Sequence, residues 1–201
     1  EKSDMSFFFF SRDSLCDVIN KDTYIFTKST VPIGTNYDLE NFMNESLTKK
    51  LIKVRVASNP EFLKEGSAVS DFLKPDRIII GTSSKKMKSL ARKIFAPIHR
   101  QKPRIIFMKR ESAELSKYAS NAFLASKISF MNEMSWISEA AGADINEVRL
   151  GMGSDTRIGS AFLYSGIGYG GSCFPKDLNG LIHFQKENNR KSFILEATKK
   201  V

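Results

Sequence analysis

The chain has 201 residues, 41% of them hydrophobic and 26% charged, which excludes wholesale disorder and allows one or two domains with a buried core. Thirty-one Lys and Arg against 22 Asp and Glu leave a net charge of +9; this suits an anionic partner (nucleic acid, membrane headgroup or phosphorylated metabolite) and equally a solvated basic face. Two cysteines, Cys16 and Cys173, exclude a disulfide framework or a cysteine-rich zinc site and fit a reducing compartment; no apolar run approaches the ~20 residues of a membrane span, and Phe7 to Phe10 lacks the flanks of a signal peptide, so a cytoplasmic location away from membranes is expected.

In chain order, Tyr24-Ile25-Phe26 reads as a strand ending in the turn-like Ser29-Thr30-Val31-Pro32. Asn36 to Lys50 predicts a helix with Leu39, Phe42, Met43 and Leu47 on one stripe. Lys53 to Ala57 is a second strand, and Pro60 is placed to start a helix after it. Arg77 to Ile80, closed by Gly81, is a third strand; Ser84 to Phe95 is a basic amphipathic helix; Arg104 to Phe107 is a fourth strand. Alternating strands and helices imply an α/β fold with a parallel sheet. Ser112 to Ala141 contains no Pro or Gly and predicts one helix of roughly 45 Å. Gly142 ends it, and Asp144 with Glu147 opens another. A helix this long joins domains or forms a subunit interface, which places a boundary near Glu111, between segments 1–110 and 111–201.

Three segments carry candidate chemistry. Gly166, Gly168 and Gly171 satisfy G-x-G-x-x-G, but only an ambiguous run precedes them and Pro175 places the following helix too late for a pyrophosphate cradle. Cys173 lies just outside that predicted helix, beside Lys176; the helix dipole favours a thiolate there, and a packed structural cysteine is the equal alternative. The histidines, His99 and His183, have no obvious catalytic setting. Lys117 and Asn121 are four apart on the long helix and could together stabilise an oxyanion, unless Lys117 is a surface residue paired with Glu114. Glu61 and Glu65 would share a face of the helix opened by Pro60, as general acid/base candidates or as first-turn acids complementing the dipole.

Five stretches occur together: Lys28-Ser-Thr-Val-Pro-Ile-Gly-Thr35, Asn59-Pro-Glu-Phe-Leu-Lys-Glu-Gly66, Pro75-Asp-Arg-Ile-Ile-Ile-Gly81, Ala113-Glu-Leu-Ser-Lys-Tyr-Ala-Ser-Asn-Ala-Phe123 and Gly168-Tyr-Gly-Gly-Ser-Cys-Phe-Pro-Lys-Asp177. In this order they resemble the UDP-glucose/GDP-mannose dehydrogenase family. The resemblance implies a Rossmann-like sheet, then a mainly helical central domain with a long connecting helix. It implies oxidation of a sugar-nucleotide alcohol to the carboxylate by two NAD in succession. Cys173 would carry the thiohemiacetal and thioester, Glu61 would serve as acid/base, and Thr30 and Asp177 would order the hydrolytic water. Lys117 and Asn121 would stabilise the oxyanion. Thr30, Glu65 and Lys176 would lie toward the nicotinamide end of NAD. Glu61, Phe62, Leu63, Lys64 and Glu65, with Phe162, Leu163, Tyr164, Ser165, Gly166 and Gly170, would hold the sugar and its diphosphate. Arg157 would reach a neighbouring subunit's substrate in a homodimer built on the long helix.

Two family features have no counterpart. No strand and glycine-rich turn for the NAD pyrophosphate precedes Lys28, and no further α/β domain follows the cysteine helix. The expectation is the later part of a cofactor domain plus the central domain, without NAD turnover by these 201 residues alone. Phe174 beside Cys173 leans toward UDP-glucose over GDP-mannose or a UDP-N-acetyl sugar. The competing readings are an inactive remnant or dimerisation module and a nucleic-acid binder, the latter resting only on Lys85, Lys86, Lys88, Arg92 and Lys93.

Overall fold

A computed structural model of the chain describes residues 4–98 and 105–201. In order it contains α1 (Ser6–Val18), β1 (Thr23–Thr27), α2 (Thr35–Ser46), β2 (Val54–Ser58), α3 (Ala68–Leu73), β3 (Ile78–Gly81), α4 (Lys85–Phe95), β4 (Ile105–Met108), α5 (Arg110–Ala141), α6 (Ile145–Gly153), α7 (Cys173–Glu187) and α8 (Phe193–Lys200). The chain divides into two compact units, Asp4–Lys117 and Tyr118–Val201, and α5 runs through the division. His99 and the Arg104 start of the fourth predicted strand lie outside the described residues. Among the described residues no helix is long and apolar enough to cross a membrane.

The first unit is a four-stranded sheet in the order β1-β2-β3-β4. The β1–β2 and β3–β4 pairs are parallel, with Ile25 opposite Val56 and Ile80 opposite Phe107. The sheet is mainly parallel, as expected; at its centre β2 and β3 meet antiparallel at Ser58 and Gly81. A parallel return needs a crossover of a dozen or more residues, usually a full helix packed back over the sheet. Between β2 and β3 the only helix is the six-residue α3.

Strand periodicity then sorts the side chains. Ile25, Val54 and Val56 pack with Leu39, Met43 and Leu47 of α2 and its continuation, with Phe8 and Cys16 of α1 against them. Tyr24, Phe26, Ala57, Ile78 and Ile80 point to the other face, onto Met87, Ala91 and Phe95 of α4. Ser84 caps α4 by accepting from the Met87 N–H at 3.3 Å.

The second unit is helical. Tyr118, Ala122, Ala125 and Met131 of α5 are buried, as are Leu178, Leu181 and Ile182 of α7. Tyr118 packs so closely on Gly180 that a Cβ there would stand 3.0 Å from the ring. Ser129 Oγ donates to the Thr198 carbonyl at 2.8 Å, tying α8 to α5. Gly142 takes φ +68° at the end of α5, and Asp144 caps α6 by accepting from the Asn146 N–H at 2.7 Å.

Candidate active site

In the first unit the loops that follow β1 and β2 leave the carboxyl ends of two parallel strands, the usual place for a ligand in an open α/β sheet. The first carries Thr30, half-buried; the second carries Glu61 and Phe62, half-buried, and Leu63, Lys64 and Glu65, exposed. Lys117, only 5% exposed, brings its ammonium to 3.5 Å from Glu61 Oε1 and 5.3 Å from the centre of the Phe62 ring. Lys28, Asn59, Glu61 and Phe62 line one cavity with Arg77 and Phe95. Burial of the ammonium pulls the Lys28 pKa down, and the Glu61 charge opposes that shift.

Two expectations about this region are corrected. Pro60 starts no helix: residues 59–64 are irregular, so Glu61 and Glu65 do not share a helix face. Other contacts hold this stretch in place of helical hydrogen bonds. The Asn59 N–H donates to the Thr27 carbonyl at 2.9 Å and Asn59 Nδ2 to the Ile79 carbonyl at 3.0 Å. Glu61 Oε2 accepts from the Leu63 N–H at 2.6 Å, and Asp71 accepts from the Lys64 N–H at 2.8 Å. Lys117 is not a surface residue paired with Glu114. Glu114 is 2% exposed and its carboxylate accepts from the Gly34 N–H at 2.6 Å, the Asn36 N–H at 3.0 Å and Asn36 Nδ2 at 2.7 Å. Burial raises its pKa, and the three donors oppose the rise.

In the second unit Asp177, 1% exposed, accepts from Asn121 Nδ2 at 2.6 Å and from Lys176 Nζ at 2.6 Å. Cys173 is the first residue of α7 rather than a residue before it, and its sulfur is exposed, 3.8 Å from Ser172 Oγ. A thiolate in the first helical turn still meets the positive end of the dipole. The glycine run does not form a dinucleotide turn: no strand precedes it, and Gly168 and Gly171, with φ +136° and +80°, shape an irregular loop. Upstream, Phe162 holds φ +62°, a costly conformation for an aromatic residue, with its ring centre 6.0 Å from that of Phe174. Leu163 is buried while Tyr164, Ser165, Gly166 and Gly170 are exposed; the Gly166 N–H donates to Asn132 Oδ1 at 2.7 Å. Arg157 is exposed and pairs with Asp155 at 2.6 Å.

The structure therefore groups Glu61, Phe62 and Lys117 in one unit, and Asn121, Lys176 and Asp177 in the other. Sequence reasoning missed the supports Glu114, Asn36 and Asn132. For Glu114 the available signal was its place one turn before Lys117 on a buried stripe; for Asn36 and Asn132 there was none.

Comparison with known proteins bears on both units. Residues 1–99 match the UDP-glucose/GDP-mannose dehydrogenase family, NAD binding domain, and residues 111–201 match the same family's central domain. A UDP-glucose 6-dehydrogenase of Pseudomonas aeruginosa is 51% identical over 184 residues, 90% of this chain and 39% of the relative. One from Bacillus subtilis is 50% identical over 183 residues, 91% of this chain and 41% of the relative. A UDP-glucose dehydrogenase structure from Pyrobaculum islandicum superposes with a TM-score of 0.89 at 36% identity, over 99% of this chain and 46% of that one. The chain thus spans less than half the length of these relatives.

Proposed function

We infer the function from one premise: the chain belongs to the UDP-glucose/GDP-mannose dehydrogenase family. We propose that it is part of a nucleotide-sugar dehydrogenase that oxidises UDP-glucose to UDP-glucuronate with two NAD, by way of covalent intermediates on Cys173.

The chain's residues fit the reactive end of the cofactor. Thr30 sits beyond the carboxyl end of a parallel strand, as a nicotinamide contact should, and Glu65 and Lys176 are exposed for the same role. The start of α2 offers no pyrophosphate cradle, because its Gly34 and Asn36 donors are already taken by Glu114. When bound, NAD supplies the hydride acceptor for both oxidations.

The protein's part is to hold carbon, oxygen and water. Addition of the Cys173 thiolate to the aldehyde carbon forms a C–S bond and leaves an oxyanion. The Lys117 ammonium and Asn121 amide donate to that oxygen. At the carboxylate oxidation level the carbon is a thioester on Cys173. Water then attacks it, Glu61 takes the proton, Thr30 and Asp177 orient the water, and the thiolate leaves. Covalent retention keeps the aldehyde from escaping. The segments Glu61 to Glu65 and Phe162 to Gly166, with Gly170, hold the glucosyl diphosphate, and Arg157 serves the site of a second subunit. Phe123, Phe130, Trp136 and Ile137 of α5 stand about half or more exposed, an apolar face suited to a homodimer. A soluble cytoplasmic enzyme fits this reading.

The observation that carries the proposal is the buried Lys117 facing Glu61 at 3.5 Å. An ion pair with one buried and one half-buried partner adds little stability after desolvation, so chemistry is the better reason to keep it. The test uses a chimaera joining this chain to the remaining parts of the Pseudomonas aeruginosa relative, assayed with UDP-glucose and NAD. Cys173→Ser should stop after the first oxidation, and Lys117→Ala should lose at least ~10²-fold in rate. Full four-electron oxidation by the Cys173→Ser form refutes the covalent assignment. A stable dimer without turnover would instead favour a dimerisation module.

A further inference from the structure

Three polar side chains of α5, Arg110, Glu114 and Lys117, recur at i, i+4 and i+7 and so share one helix face. Arg110 and Glu114 fasten α2, and Lys117 fastens the loop after β2. Arg110 Nη1 lies 3.1 Å from Glu40 Oε2 and 3.4 Å from the Asn36 carbonyl. Glu114 holds the start of α2 and Lys117 faces Glu61. The middle contact asks for an explanation. Gly34, at φ +97°, is the N-cap of α2, and no side chain of its own loop caps the helix. A local Ser or Asp would satisfy those amides without burying a charge. A carboxylate 80 residues away in sequence does it instead.

The loop so held is short. The Thr27 carbonyl at its start accepts from the Asn59 N–H at 2.9 Å, Val31 within it is 4% exposed, and the Thr35 N–H closes a turn onto Pro32 at 3.1 Å. Thr30 lies between these fixed points. We propose that Glu114 is a positioning residue: by gripping Gly34 and Asn36 it holds the Thr30 loop in register with the α5 turn that presents Lys117. This rests on the roles given to Thr30 and Lys117 above. It explains why a buried acid sits one turn before the buried lysine: one rigid helical turn aligns both loops.

The test uses Glu114→Gln, which keeps the volume but turns one acceptor oxygen into a donor, so an amide of Gly34 or Asn36 loses its partner. In the 201-residue chain, with methyl-labelled threonine and methionine, the Thr30 signal should shift and broaden while that of Met131 stays put. Exchange of the Gly34 or Asn36 amide should speed about tenfold. An unchanged Thr30 signal overturns the proposal. In the chimaera kcat should fall about tenfold with KM for UDP-glucose and NAD within about twofold. Adding Glu114→Gln to Thr30→Ala should then cost less than about twofold more. Full multiplication of the two losses overturns the proposal. If Glu114→Gln does not fold, Asn36→Ser removes only the side-chain donor and should move the Thr30 signal in the same direction. A parent chimaera without turnover counts against the dehydrogenase reading, and the Thr30 signal then decides the role of Glu114 alone.

Discussion

Removing the Asn121 amide should expose how a buried carboxylate is tolerated in the helical unit. Asp177 is 1% exposed, and each of its oxygens has one short partner, Asn121 Nδ2 and Lys176 Nζ, both at 2.6 Å. The Lys176 side chain is 48% exposed, so water screens that ion pair and it cannot replace a lost donor. Asn121 itself is 7% exposed, so little water reaches the gap that Ala would leave. A hydrogen bond to a charged group contributes about 1.5–3 kcal/mol, and an orphaned buried acceptor adds to the loss. Asn121→Ala should therefore destabilise by about 2–3 kcal/mol, roughly 30- to 150-fold in the folded-to-unfolded ratio. Urea unfolding read by the fluorescence of Trp136, the single tryptophan, measures this as a lower midpoint at constant slope. Asn121→Asp sharpens the test. Two carboxylates at this distance repel, and the exposed Lys176 ammonium does not neutralise both. Asn121→Asp should therefore cost at least as much as Asn121→Ala at neutral pH. A midpoint for Asn121→Ala within about 0.5 kcal/mol of wild type would refute the reasoning.

Gly81→Ala should cost about 1–3 kcal/mol, because a Cβ there would stand 2.7 Å from Ala113 Cβ and 2.8 Å from the Arg110 Cα; an unchanged urea midpoint would show that α5 can shift away. Met43→Ala, at a fully buried position, should cost about 2–5 kcal/mol, read as a lower thermal midpoint, and a loss under about 1 kcal/mol would mean the core collapses around the void. The Lys64 amide, followed by NMR, should titrate with Asp71. Its carboxyl is held below the usual 3.8 first by the Lys64 backbone N–H, then by Lys64 and Ser67 side chains. The tie is complete above pH 3.8 and is lost as pH falls through the lower folded value, so a midpoint at or above 3.8 would contradict it.

The elements with a regular apolar period were legible in the sequence. Leu39 and Met43, continued by Leu47, mark α2, and Met87, Ala91 and Phe95 mark α4, because each repeat places one stripe on the sheet. Helix α5 followed from thirty residues without a breaker. Helices α1 and α8 were not legible: Phe7, Phe10, Phe193 and Ile194 are exposed, so among the described residues these side chains mark no buried stripe. The family motifs named the candidate site residues, and their roles remain the proposal set out above. Their settings were decided by tertiary structure. Asn59, Glu61 and Asp71 draw residues 59–64 out of the helix that Pro60 suggested. Glu114 reaches back to Gly34 and Asn36 rather than pairing with Lys117. Local periodicity encodes which surface of an element is buried. It carries no record of which distant backbone amide a buried carboxylate will meet, because that partner is set only when the sheet and helix have packed and excluded the water that would otherwise solvate both.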